Sequence, residues 1–400
     1  MTIALAHNYY QHRGGEDTVF ETEGTLLEQH GHRVLRYTMH NDTVQQYSAI
    51  SLASRTVWNR DSYARLLALF QQERPDILHC HNTLPLLSPS VYAAARAAGI
   101  PVIQTLHNYR LLCPNALFFR NGHVCEDCLG KKVALPAILH RCYRGSIAAS
   151  ALVTATTALH HFIGTWEHAI DRYIVLTEFA RAKFIEGGLP QEKIVVKPNC
   201  VAIDPGFQTA QHTMPNALYV GRLSEEKGVM LALEAWHILQ SRNVPISLYI
   251  IGDGPLEPNV REYIRVHQLR TVHLLGRRAL HDVLQSMKAA RCVIFPSLLY
   301  ETFGKAMIEA FACGTPVIAS RLGALQEIVS DGITGYLFER GNAISLADAV
   351  QHMYSLPDEQ YAAMRSAARF EYEHHYTAEA TVRALERIYE ECIAQRSLRH

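Results

Sequence analysis

The chain has 400 residues, 48% apolar and 19% charged, more than a typical single domain and ordinary for a two-domain soluble α/β enzyme. Its 38 Lys and Arg balance 38 Asp and Glu, which excludes a global field favouring nucleic acid. No basic segment followed by an apolar run opens the chain, and Ile147 to Leu159 is too short and too rich in Ser, Thr and Ala to span a bilayer.

The first strand is expected at Ile3–Ala6, followed by a loop to Glu16 that carries Gly14 and Gly15. A helix near Asp17–His30 ends at Gly31, and Val34–Tyr37 reads as the second strand. The double glycine lets backbone approach a ligand closely just before a helix N-terminus. Helices near Val57–Glu73 and Leu84–Ala98 then alternate with strands at Asp76–Cys80 and Val102–Leu106. This alternation implies βαβ units and a doubly wound sheet. His107 follows the last of these strands, at a carboxyl end where catalytic side chains collect, although a plain loop histidine fits as well. His79 and His81 flank Cys80 at another strand end, with a structural and an acceptor-side reading both open.

Between residues 108 and 145 the alternation stops. Cys113, Cys125, Cys128 and Cys142 have the spacing C-x11-C-x2-C-x13-C, in which the two-residue gap lets two sulfurs face one ion. A structural zinc, free thiols and a single disulfide all fit this pattern. Nine cysteines and no secretion signal favour reduced thiols in a cytoplasmic protein. Lys131, Lys132, Arg141 and Arg144 surround an apolar run from Val133 to Leu139, a composition suited either to packing on the domain or to peripheral contact with an anionic membrane. Helical sequence from Ser146 to about Ala169, a strand at Tyr173–Leu176, a helix at Thr177–Gly187 and a strand at Ile194–Lys197 complete this half. Residues 198–215, with Pro198, Pro205, Gly206 and Pro215, are expected to be the linker.

The second half restarts the pattern at Leu218–Val220. Gly221, Arg222, Lys227 and Gly228 bound a loop before a helix that runs to about Arg242, a place to clamp a diphosphate. The spacing is not that of a Walker loop. Strands follow at Ile246–Ile251, closed by Gly252 and Asp253, and at Val272–Leu275, followed by Gly276 and Arg277. Val293–Phe295 reads as a buried strand, broken by Pro296 and Ser297. Glu301 lies in the loop beyond it, Thr302, Phe303 and Gly304 lead into a helix, and Glu309 lies within that helix, which stops at Gly314 before a strand at Thr315–Ala319. Two carboxylates flanking a helix N-terminus suit an extended ligand with hydroxyls at both ends and phosphate between, such as a nucleotide-sugar. Helices near Glu359–Glu373 and Ala378–Gln395 close the chain.

Glu301, Glu309 and the following Ala312–Ser320 resemble the signature of retaining family-4 glycosyltransferases of the GT-B fold, and Gly221–Gly228 resembles that family's phosphate loop. The resemblance implies two Rossmann-like domains facing a cleft: residues 1–198 on the acceptor side, 213–375 binding the donor, and a C-terminal helix, 376–400, crossing back. It implies sugar transfer from a nucleoside diphosphate (UDP or GDP) to a carbohydrate or lipid-linked acceptor, with no catalytic metal. Arg222 and Lys227 would stabilise the leaving diphosphate. Glu301 would orient the sugar, Glu309 would hold the ribose, and Thr302, Phe303, Gly304, Gly221, Gly252 and Arg277 would contact the donor. Gly14 and Gly15 would lie against the diphosphate, and His107 would border the reacting sugar. Glu327 also matches a family position, without an assigned role. A non-catalytic nucleotide-sugar-binding subunit, a phosphorylase or an epimerase would share the fold. A glycosidase pair is disfavoured, because Glu309 sits within a helix beside a phosphate clamp.

Overall fold

The structure, a computed structural model, describes residues 1–207 and 214–397. The expected linker therefore lies partly outside the described residues. Strands in chain order are β1 (Thr2–Tyr9), β2 (Arg33–His40), β3 (Ile77–Cys80), β4 (Val102–Thr105), β5 (Phe119–Arg120), β6 (His123–Val124), β7 (Arg172–Val175), β8 (Ile194–Val196), β9 (Met214–Val220), β10 (Ser247–Ile251), β11 (Val272–Gly276), β12 (Ala290–Phe295), β13 (Val317–Ser320) and β14 (Gly335–Phe338). The chain divides into two compact units. One comprises Met1–Leu117, Glu126–Asn199 and Ala378–His400; the other comprises Phe118–Cys125 and Cys200–Thr377.

The first unit is built on a parallel sheet of order β2-β1-β3-β4-β7-β8. Ile3, Leu5, Ile77, Ile103 and Ile174 are buried, as expected of strands covered on both faces. The helix Ala378–Ser397 adds Leu385, Ile388, Tyr389 and Cys392 to the same core. The helix expected near Val57–Glu73 is two helices, Ala49–Val57 and Arg60–Glu73. Asn59 separates them by capping the second, its Oδ1 accepting from the N–H groups of Asp61 (3.1 Å) and Ser62 (3.3 Å). The next helix starts at Ser90, directly after Pro89, rather than near Leu84.

In the second unit the order is β11-β10-β9-β12-β13-β14, all parallel. This is the doubly wound arrangement, whose order reverses between β9 and β12. Trp236, Leu233, Leu239, Ile250 and Ile294 lie in its core. The two-stranded hairpin β5–β6 groups with this unit, the Phe118 ring meeting Tyr300 edge-on at 6.4 Å between centroids. No helix among the described residues is long and apolar enough to cross a membrane.

Candidate active site

The loops that leave β9 and β12 meet at the switch point of the second unit. Gly228 is left-handed (φ +70°), and a Cβ there would lie 1.9 Å from the Pro296 carbonyl oxygen, so only glycine fits. The Leu298 N–H donates to the Glu226 carbonyl at 2.9 Å and ties the two loops together. A second close approach occurs at Gly252 (φ +147°), where a Cβ would lie 1.9 Å from the Gly221 carbonyl oxygen. Tyr219 fixes the first loop by donating its hydroxyl to the Arg222 carbonyl (2.9 Å).

This packing opens a cavity of about 220 Å³ lined by Tyr219, Gly221, Arg222, Lys227, Ser297, Glu301, Gly304 and Lys305, among others. Lys227 Nζ donates to Glu301 Oε1 at 2.6 Å, and Ser297 Oγ donates to the same oxygen at 2.7 Å. That bond occupies one of the three donors of an ammonium. Arg222 is exposed at the rim. Gly304 (φ +98°) precedes the helix Lys305–Ala312, whose first N–H groups face this end. Burial pushes the Glu309 carboxyl above its ordinary range, while Lys305, with Nζ 3.7 Å away, opposes the shift.

Of the residues singled out in the sequence, Gly221, Arg222, Lys227, Glu301 and Gly304 line this cavity. Glu309 reaches its wall through Lys305, and Phe303 is buried edge-on against Tyr376 (5.9 Å). Gly252, Arg277 and Thr302 are not in the lining. Ser297 and Lys305 were not read from sequence. Lys305 carries a signal all the same, since a cation in the first turn of a helix opposes the helix dipole.

Gly14, Gly15 and His107 belong to the first unit, where the order reverses between β1 and β3. The helix Gly15–Gln29 is capped by its own Asp17, whose Oδ2 accepts the Gly14 N–H at 2.8 Å. Its Oδ1 meets His7 Nε2 at 2.8 Å. Burial alone would raise the Asp17 carboxyl; the bonds from His7 and the Gly14 N–H outweigh it and hold it low. His107 Nε2 lies 2.9 Å from His81 Nδ1, and the two rings stack at 5.1 Å. Behind His81 comes Glu23 (Nε2 to Oε2, 3.6 Å), which is ion-paired with the buried Lys197. His79 is held by the Tyr389 hydroxyl and Thr105 Oγ1, each at 2.7 Å. Burial, reinforced by nearby Lys197, depresses all three histidines, His79 to about 3. Donor atoms of Glu23, His79 and His81 lie within 4.8 Å of one another. The Lys197 ammonium already supplies that cluster with its cation. Cys113 and Cys128 are buried, Cys125 and Cys142 half-buried, and all nine cysteines are thiols.

Residues 204–370 match the model of the glycosyl transferases group 1 family, and residues 14–200 match that of the glycosyl transferase 4-like domain. Each match falls in a different half of the chain. An uncharacterised glycosyltransferase of Methanocaldococcus jannaschii is 29% identical over 174 residues, 44% of this chain and 47% of the relative, so this chain spans about half the length of that protein. The N-acetyl-α-D-glucosaminyl L-malate synthase of Bacillus anthracis is 24% identical over 97% of both chains. Among solved structures, Anabaena Alr3699/HepE in complex with UDP superposes with a TM-score of 0.69 at 19% identity, over 98% of this chain and 100% of that one. The same protein has been solved with UDP-glucose. The fold is that of GT-B proteins, two Rossmann-like units each on a parallel sheet.

The buried histidines set an acid limit on the first unit. Between an unfolded value near 6.5 and a depressed folded value, the unfolded chain binds more protons, so stability rises with pH across that interval. The contribution of neutral His79 is complete above about pH 6.5 and is lost as the pH falls toward its folded value, at about 1.4 kcal/mol per pH unit for each such histidine. Urea unfolding at pH 7.5 and pH 5 should show a lower midpoint at pH 5. Equal midpoints would mean that these histidines are already charged in the folded state.

Proposed function

We propose that the protein is a retaining glycosyltransferase that uses a nucleoside-diphosphate sugar, UDP- or GDP-linked, as donor. The observation that carries this reading is the cavity at the β9–β12 switch point, with Arg222, Lys227 and Lys305 around it and Glu301 fixed on its wall. Cations and a helix N-terminus gathered at a strand's carboxyl end suit a diphosphate. A sugar attached to that diphosphate meets Glu301, a carboxylate able to accept from hydroxyls. As the glycosidic bond breaks, negative charge develops on the leaving diphosphate, and Arg222 and Lys227 stabilise it. In the retaining course the leaving phosphate accepts the acceptor's proton on the face from which the sugar departs. Glu301 then orients rather than attacks. By resemblance, Glu309 holds the ribose, the backbone at Gly252 and Arg277 and residues Thr302 and Phe303 complete the donor contacts, and Gly14, Gly15 and His107 act near the diphosphate and reacting sugar.

The donor should raise the melting temperature in a concentration-dependent way. Arg222→Ala/Lys227→Ala should abolish that shift and reduce kcat by about 10²–10³-fold. Proton NMR of the product should show the donor's anomeric configuration. No shift with any UDP- or GDP-sugar at millimolar concentration would count against the reading, and binding without transfer or donor hydrolysis would favour a non-catalytic subunit.

Residues 129–166 contain no Asp or Glu, while Lys131, Lys132, Arg141 and Arg144 are exposed beside exposed Leu135, Leu139, Phe162 and Ile163. This composition supports a peripheral position on the cytoplasmic face of an anionic membrane. The protein should sediment with phosphatidylserine vesicles and be released when the four basic residues are neutralised; absence from the pellet at low salt would refute it.

Four thiols with a central C-x2-C suit a tetrahedral zinc and leave no open position for catalysis. Metal analysis of protein purified without chelator should give one zinc per chain, lost in Cys125→Ser/Cys128→Ser. A metal-free chain of unchanged melting temperature would show that the thiols stand alone.

A further inference from the structure

The first unit holds a second cavity, of about 150 Å³, which shares no lining residue with the one at the β9–β12 switch point. Val44, Leu52, Leu84, Pro85, Leu152 and Val153 supply apolar walls. Two threonines in the same lining add little polarity. Thr56 Oγ1 donates to the Leu52 carbonyl and Thr156 Oγ1 to the Leu152 carbonyl, each at 2.8 Å, so both hydroxyls are spent on their own helices. The apolar part of a space of this size accepts a group about as large as benzene.

The rest of the lining is Ala149, the polar Tyr10, Gln11, Asn41 and Tyr143, and two cations, Arg110 and Arg144. Arg110 and Arg144 both stack on the Tyr143 ring, their Cζ atoms 5.1 and 5.4 Å from its centroid. Arg110 spends one hydrogen bond on the Pro114 carbonyl (3.2 Å) and interacts with Glu16, which Asn108 and Tyr10 already hydrogen-bond. Burial pushes the Glu16 carboxyl up, which weakens it as a counter-ion. Two guanidinium groups on one phenol ring keep like charges together beside an apolar hole. A ligand with an anionic head and an apolar body satisfies both parts.

We infer that this cavity binds the acceptor, as an amphiphile whose phosphate meets Arg110 and Arg144 and whose hydrocarbon fills the space between Leu52, Leu84 and Leu152. The inference rests on the transferase reading and supplies its acceptor class: a saccharide carried on an alkyl or isoprenyl phosphate rather than a free sugar. The head group and the first carbons of the chain are recognised here, so specificity for the carrier is separate from specificity for the donor.

The test is calorimetric titration of the full chain with farnesyl diphosphate below its micelle concentration, beside inorganic pyrophosphate and farnesol. Farnesyl diphosphate should bind at least about tenfold more tightly than either fragment. Ala149→Phe, which fills the cavity from the helix Ile147–Phe162, should weaken it by about tenfold or more, and Arg144→Gln by about three- to tenfold. Melting curves establish that both variants fold, and Leu152→Phe repeats the filling from a second position. Pyrophosphate binding as tightly as farnesyl diphosphate, or affinity unmoved by both filling variants, would overturn the inference. So would binding to anionic vesicles with no response to farnesyl diphosphate, which assigns the arginines to the membrane surface. The donor-induced melting shift, measured on the same preparations, reports on the transferase reading separately, so loss of one leaves the other standing.

Discussion

At Gly228 the Pro296 carbonyl leaves no room even for a methyl group. Two loops from neighbouring strands are thereby pressed together backbone to backbone, with the Leu298–Glu226 hydrogen bond sealing the contact. Lys227 immediately precedes the constrained glycine, and Glu301 lies a few residues past the constraining proline. Their 2.6 Å contact is a consequence of the close approach. The side chains need only ordinary rotamers, because the backbone has already fixed their separation.

The first unit reaches its order by a different route. Its corresponding crossover is filled with buried polar groups, Asp17 on His7, Glu23 on Lys197 and a run of neutral histidines from His79 to His107. Burying a charge is unfavourable unless it is paired, and here each carboxylate has a partner, Asp17 from within the same βα turn and Glu23 from far along the chain. Lys197, beyond β8, is 174 positions from Glu23. The second unit thus sets its cations around an open cavity, whereas the first locks its ionisable groups inside.

Most of the architecture could be read from strand–helix alternation, since buried parallel strands are short apolar runs closed by turn residues. Misplaced boundaries had local causes. Asn59 caps a new helix inside an apolar periodicity, and Pro89 delays the next one. The cavity residues Arg222, Lys227 and Glu301 were legible because they sit in glycine-bounded motifs, Gly221–Gly228 and Glu301–Ser320, that resemble those of a known family. Ser297 was not, because its role depends on its hydroxyl meeting an oxygen across a turn. Glu23 and Lys197 were invisible for a related reason: each looks like a solvated surface charge until the sheet places them together. The arginine-lined cavity draws on five separate stretches of chain, and no window of sequence contains it.

The helix Ala378–Ser397 follows every strand of both units in the chain, yet it belongs to the core of the first unit. Leu385, Ile388 and Tyr389 share a core with Ile3, Leu5, Ile77, Ile103 and Ile174, all more than 200 residues earlier, and the Tyr389 hydroxyl holds His79. The second unit, by contrast, has all its residues once Thr377 is made. Biosynthesis therefore runs against chain order. The C-terminal unit is able to complete its core first, whereas the core of the N-terminal unit closes only when Leu385, Ile388 and Tyr389 have been added.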